Sequence, residues 1–342
     1  MTEFLHRRQS VAALTNALGD MYRMLGRYEE AESVYDRLLE VERRLGRAEQ
    51  SLLWERCNLA CVYSAQGRYE EAESLFVETK EIAKLKKIHS FKHAFNFNLA
   101  EVYRARGKDK EAEQLYLSEI SRRSEMDDIG RLNFMCGLAH LRMGQREYDD
   151  ANDLLVEASA TGHKRLGEGH PFTLKYINSL AVLRTKQNLH EDAERLFHEA
   201  LEGRKHRLGN DHPDTLQTIN DLGVLRRQQG RHEEAEMLIT EAIEKRTAKL
   251  GADHPHTLQS MHELAVLHAK QDQHQQAAGL LVKVAEGRLD KLGDKHPDTQ
   301  ESLTLLVDLY KTVNQPKEAE KWRAKLPAGG TTNGQSQNAS GR

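Results

Sequence analysis

LGNDHPDTLQTINDLGVLRRQQGRHEEAEMLITEAIEKRTAK, residues 208–249, decides the reading of this chain. It recurs. His-Pro pairs stand at His170-Pro171, His212-Pro213, His254-Pro255 and His296-Pro297, each 42 residues after the one before. Leu-Gly pairs at Leu166-Gly167, Leu208-Gly209, Leu250-Gly251 and Leu292-Gly293 keep the same step. A fixed period of this size marks stacked copies of one supersecondary unit. Each copy spells two helices. Gly209 ends one helix in a left-handed C′ conformation, and Pro213 fits the first turn of the next, where its missing N–H is not needed. Leu216, Ile219, Leu222 and Leu225 then form one apolar stripe. Gly230 breaks the pattern. A second helix from about Glu233 carries Ala235, Leu238, Ile239, Ala242 and Ile243 on one face.

Working outward, the alanine near the start of the second helix anchors weaker copies: Ala31, Ala72, Ala112, Ala151, Ala193, Ala235, Ala277 and Ala319. Thirteen residues before each stands a leucine: Leu18, Leu59, Leu99, Leu138, Leu180, Leu222, Leu264 and Leu306. The leucines read as knobs, and the small residues let paired helices approach to about 8–10 Å. The frame predicts eight repeats: 3–46, 47–87, 88–127, 128–170, 171–212, 213–254, 255–296 and 297–327. A Gly-, Ser-, Asn- and Gln-rich tail, 328–342, has nothing to bury and is expected to be disordered. Repeats three and four are the least regular. Asp109 replaces the usual second-helix Tyr and Arg146 the turn glycine, which predicts a bend or looser packing there.

Composition agrees with this frame. Of 342 residues, 38% are hydrophobic and 30% charged, thin for one thick core but suited to a solenoid in which each repeat buries its face on its neighbours. A net charge of −3 sets up no global field toward nucleic acid. Three cysteines (Cys57, Cys61, Cys136) are too few for a disulfide scaffold and point to a reducing compartment. No signal sequence or membrane-length apolar run is read, so a cytoplasmic protein with no membrane insertion is expected.

Leu18-Gly19, Tyr22, Gly26, Tyr28 and Ala31 together resemble the tetratricopeptide repeat, as do Leu59 to Ala72. The resemblance covers roughly residues 3 to 327. The 42-residue form, with Gly209, His212, Pro213, Asp214, Thr215 and Leu216, is more narrowly similar to the repeats of kinesin light chains. No heptad coiled coil of the kind that joins those proteins to their motor is read before the repeats. The resemblance implies an all-α, right-handed superhelical solenoid of eight helix-turn-helix repeats. It also implies that the first helix of each repeat lines a concave groove, and that asparagines there bond the backbone of an extended peptide.

On that basis the candidate groove residues are Asn16, Asn58, Asn98, Asn178 and Asn220, with a cationic row of Arg23, Arg104, Lys186, Arg227 and Lys270. The amides can donate and accept toward an extended backbone, and the cations suit an acidic segment. A chaperone-tail carboxylate clamp is rejected: Asn58 and Asn98 fit its middle slot, but no repeat supplies its Lys/Asn pair and none its Lys/Arg pair. Cys57 and Cys61 share a helix face, and Cys136 and His140 repeat the arrangement two repeats on. At about 20 Å apart the two pairs are too far for one zinc, whose ligands lie within about 2.3 Å. No metal, cofactor or catalytic residue is assigned, for no P-loop, nucleophile elbow or paired-histidine zinc string occurs. The four histidines before proline are read as packing or capping the link.

The sequence therefore predicts a non-enzymatic scaffold or adaptor that holds a short extended, acidic segment of a protein partner. The alternatives are a regulatory or assembly subunit docking on an enzyme through its outer face, and a kinesin-type motor cargo adaptor. The oligomeric state is left open.

Overall fold

The computed structural model describes residues 14–23, 25, 27–44, 49–88, 92–122 and 128–327. Gly26 and the tail 328–342 lie outside the described residues. Among the described residues there are sixteen helices and no strand. They are α1 (14–23), α2 (Tyr28–Arg44), α3 (Glu49–Ala65), α4 (Tyr69–Leu85), α5 (Lys92–Ala105) and α6 (Asp109–Ile120). Next come α7 (Asp128–Gly144), α8 (Tyr148–Leu166), α9 (Pro171–Lys186), α10 (His190–Leu208) and α11 (Pro213–Gln228). The last are α12 (His232–Leu250), α13 (Pro255–Lys270), α14 (His274–Leu292), α15 (Pro297–Thr312) and α16 (Pro316–Arg323). None of them is long and apolar enough to cross a membrane.

The links behave as their residues dictate. Proline opens α9, α11, α13 and α15. The histidine before it caps the helix: Nδ1 of His170, His212, His254 and His296 accepts the backbone N–H two residues on, at 3.1–3.3 Å. A neutral imidazole is required for this, since a protonated Nδ1 has no lone pair. The glycines that end the second helices differ from expectation. Gly167, Gly209, Gly251 and Gly293 have φ of 82–93° with ψ of 160–170°, an extended positive-φ conformation instead of the left-handed helical one. Only glycine populates that region readily.

The chain forms two compact units, 1–260 and 261–342, with the boundary inside α13. In the first, α3 packs on α4, α5 on α6, α7 on α8, α9 on α10 and α11 on α12; α2, α4, α6, α8 and α10 each also pack on the first helix that follows. First helices touch one another as well: α3 with α5, α5 with α7, α7 with α9 and α9 with α11. That contact makes them the inner row. In the second unit α15 packs between α14 and α16, and Trp322 closes the core. The anchoring alanines are buried in all eight copies, as are the leucines from Leu59 onward, while Leu18 of α1 is 37% exposed. The result is an all-α repeat solenoid. Irregularity in repeat three shows as a short α6 of 12 residues against 19 in α8, α10, α12 and α14. Arg146 takes the left-handed turn conformation, φ 65°, that Gly67, Gly107 and Gly230 take at the same place in their repeats.

Candidate functional site

The asparagines of the inner row tie first helices to one another. Asn58 Nδ2 on α3 donates to Asn16 Oδ1 on α1 at 3.0 Å. Asn178 Nδ2 on α9 donates to Asp221 Oδ2 on α11 at 3.0 Å. Asn220 Oδ1 on α11 accepts from Ser260 Oγ on α13 at 2.8 Å. Asn178 and Asn220 are buried, Asn16, Asn58 and Asn98 half-buried. One atom of each buried amide, Asn178 Oδ1 and Asn220 Nδ2, has no hydrogen-bond partner among the described residues. Position in a helix predicts a face, but not whether that face meets the groove or the neighbouring helix, and here the neighbour takes half of each amide.

The cationic row is split in the same way. Arg23 lies 3.4 Å from Asp20, which also accepts from the Tyr35 hydroxyl at 2.9 Å. Arg104 repeats this arrangement: it donates to Glu101 Oε2 at 3.0 Å, and Tyr116 Oη donates to Glu101 Oε1 at 2.5 Å. Arg227 is half-buried on α11, and Lys186 is exposed at the end of α9. Lys270, also exposed, belongs to the second unit.

Glu101, Arg104, His140 and Lys175 come from three successive first helices, α5, α7 and α9, and feel one another's charge. Desolvation works to raise the Glu101 carboxyl, yet Arg104, Lys175 and the Tyr116 hydroxyl outweigh it and hold it down at about 2. Burial and the facing Arg104 push His140 down to about 3, so it is neutral at ordinary pH. Lys175 Nζ sits 5.0 Å from the centre of the Phe97 ring, a cation–π arrangement. One carboxylate and two cations leave this cluster at net +1. Farther along, burial raises the Asp221 carboxyl against the bonds from Asn178 and Gln217.

Segments 10–84, 177–248 and 214–290 match a family model described as tetratricopeptide repeat, and 94–127 match a second model of the same description. The chain belongs to the tetratricopeptide repeat family. No curated protein matches it. Among solved structures, a Rap protein complexed with Competence and Sporulation Factor is 12% identical, covers 93% of this chain and 97% of its own, and has a TM-score of 0.62. The apo quorum sensor NprR from B. thuringiensis is 14% identical over 94% of this chain and 90% of its own, TM-score 0.59. Both show the fold alone. Repeats of a putative kinesin light chain from Podosopora anserina are 26% identical over 58% of this chain and 95% of theirs, TM-score 0.46.

As a tetratricopeptide repeat protein the chain is a protein–protein interaction scaffold. Its repeats also carry a device that sequence reading passed over. Arg204, Arg246 and Arg288, 42 residues apart, are buried at the ends of second helices. Each donates through Nη1 to the backbone carbonyl of residue 214, 256 or 298 at 2.7–2.8 Å. The same nitrogen reaches the hydroxyl of Thr218, Ser260 or Ser302 at 2.5–2.7 Å. The signal was the shared step of arginine and hydroxyl, hidden because an arginine on an amphipathic helix is read as solvent-facing. The cysteines are thiols of low reactivity: burial pushes Cys61 up to about 11 and raises Cys57 and Cys136. Among the described residues no three His, Cys, Asp or Glu gather where a metal could sit.

Proposed function

We propose that this chain is a non-enzymatic adaptor whose inner row of first helices holds a short, extended, acidic segment of a partner protein. The observation that carries this reading is the net +1 cluster on α5, α7 and α9. Glu101 is already bonded by Arg104 and Tyr116, so Lys175 is the charge left to be balanced. A carboxylate beside Lys175 neutralises it in a setting where water screens poorly. The leftover Asn178 Oδ1 and Asn220 Nδ2 offer an acceptor and a donor of the kind an extended backbone complements, once that amide edge opens. Lys186 and Arg227 extend the cationic character along the same row.

A peptide array followed by crosslink mapping tests the reading. The expected binders carry acidic residues and crosslink to α5, α7 and α9. Crosslinks confined to second helices would instead support the second reading, docking through the outer face. A depression of about 500 Å³ between α2, α3 and α4 is lined by Asp36, Arg43, Arg56, Tyr63, Glu71 and Glu78.

A further inference from the structure

One hydrogen bond in the first unit joins residues 189 positions apart. His254 Nε2 donates to the backbone carbonyl of Ala65, the last residue of α3, at 2.5 Å. The Tyr28 ring stacks on the His254 imidazole, 6.4 Å between centroids and 16° between planes. Pro255 fills the space over Gly67: a Cβ built there would lie 2.5 Å from Pro255 Cγ. The link between α12 and α13 is thus seated on the turn after α3 and on the first residue of α2.

We propose that the His254-Pro255 link is a latch that fastens the sixth repeat onto the first two and that acid releases it. Both imidazole nitrogens are committed. Nε2–H serves Ala65, one of the carbonyls a helix end leaves without an intrahelical partner. Nδ1 accepts the His256 N–H at 3.1 Å and so caps α13. A second proton must go on Nδ1, where it faces that N–H and breaks the cap. The groups around the ring are Tyr28 on α2, His256 and Arg246; Arg23 and Asp214 act on Tyr28, and Arg104 on His256. The Ala65 carbonyl favours the proton, but burial opposes it more strongly and Arg246 adds to the opposition, so the imidazole lies below its ordinary value. The sign follows. The latch is at full strength above the pKa of a released histidine, about 6.5, and weakens as pH falls from there toward the lowered value.

A role for the latch as a gate on the inner row rests on the peptide-binding reading above; the latch itself does not. Spin labels at Glu29 and Asp253, both exposed, on a Cys61→Ser chain report its state directly. One short, narrow distance is expected at about pH 8, giving way to longer distances at about pH 5. Gly67→Asn places a side chain against Pro255 while keeping the left-handed turn, which Asn188 and Asn314 adopt elsewhere in the chain. It is expected to give the long distance at both pH values. Gly230→Asn has the same φ and open space around it, so it should behave as the unsubstituted chain. His254→Asn keeps a cap but neither reaches Ala65 nor titrates, and should also be long throughout. A short distance in Gly67→Asn overturns the latch, and a distance in the unsubstituted chain indifferent to pH overturns its acid release. If Gly67→Asn opens and acidic peptides bind no faster, the gate role fails and the latch stands; if no acidic peptide binds either chain, the groove reading fails and the latch still stands.

Discussion

The seams after α10, α12 and α14 and the seams after α2 and α8 do one job with different chemistry. Eleven residues past the anchoring alanine, the first group carries Arg204, Arg246 and Arg288; the second carries Glu42 and Gly162. A buried guanidinium is tolerable only when its hydrogen bonds are made, and here a carbonyl and a hydroxyl make them in each seam. Tyr176 stands where Thr218, Ser260 and Ser302 stand in the others, and its ring takes the room Gly162 leaves: a Cβ on Gly162 would lie 3.1 Å from it. Glu42 instead accepts from Ser51 at 3.2 Å. The backbone of the repeat is held constant, while the filling of each seam varies as a matched pair.

Breaking an arginine seam should have the largest effect. Arg246→Ala removes bonds to the His256 carbonyl, Ser260 and Gln217 and opens a cavity. A loss of about 3–5 kcal/mol is expected in urea unfolding, the size seen when one side of a buried charged network is cut. Next comes a transplant. Gly162→Arg alone should cost about 1–3 kcal/mol by crowding Tyr176, and Tyr176→Thr in the same chain should recover much of it. Absence of recovery would mean that the pairing is not what distinguishes the seams. The smallest effect concerns the turns. Arg146→Gly should raise stability by about 1 kcal/mol by relieving a left-handed residue that repeats two, three and six avoid.

These seams also show where sequence reading stops. The 42-residue step, the anchoring alanines and leucines, the prolines that open helices and the capping histidines were all visible, because each depends on local backbone chemistry. Whether Asn178 and Asn220 meet a ligand or Asp221 and Ser260 was not visible, because a helical stripe fixes direction from one axis only. The extended ψ of Gly209 was missed because a Leu-Gly ending is compatible with more than one positive-φ conformation. Lys175 was passed over as well: its interest comes from Glu101 and His140, which lie on different helices and meet only when α5, α7 and α9 pack side by side.

Calorimetry of an array-selected acidic peptide against the intact chain and against Lys175→Gln tests the central claim most directly. The account predicts binding that weakens roughly tenfold or more in the variant, the loss of one sheltered charge contact, and that fades with added salt. Equal affinity for the two chains, with the peptide's neutral analogue bound as well as the acidic one, would contradict it.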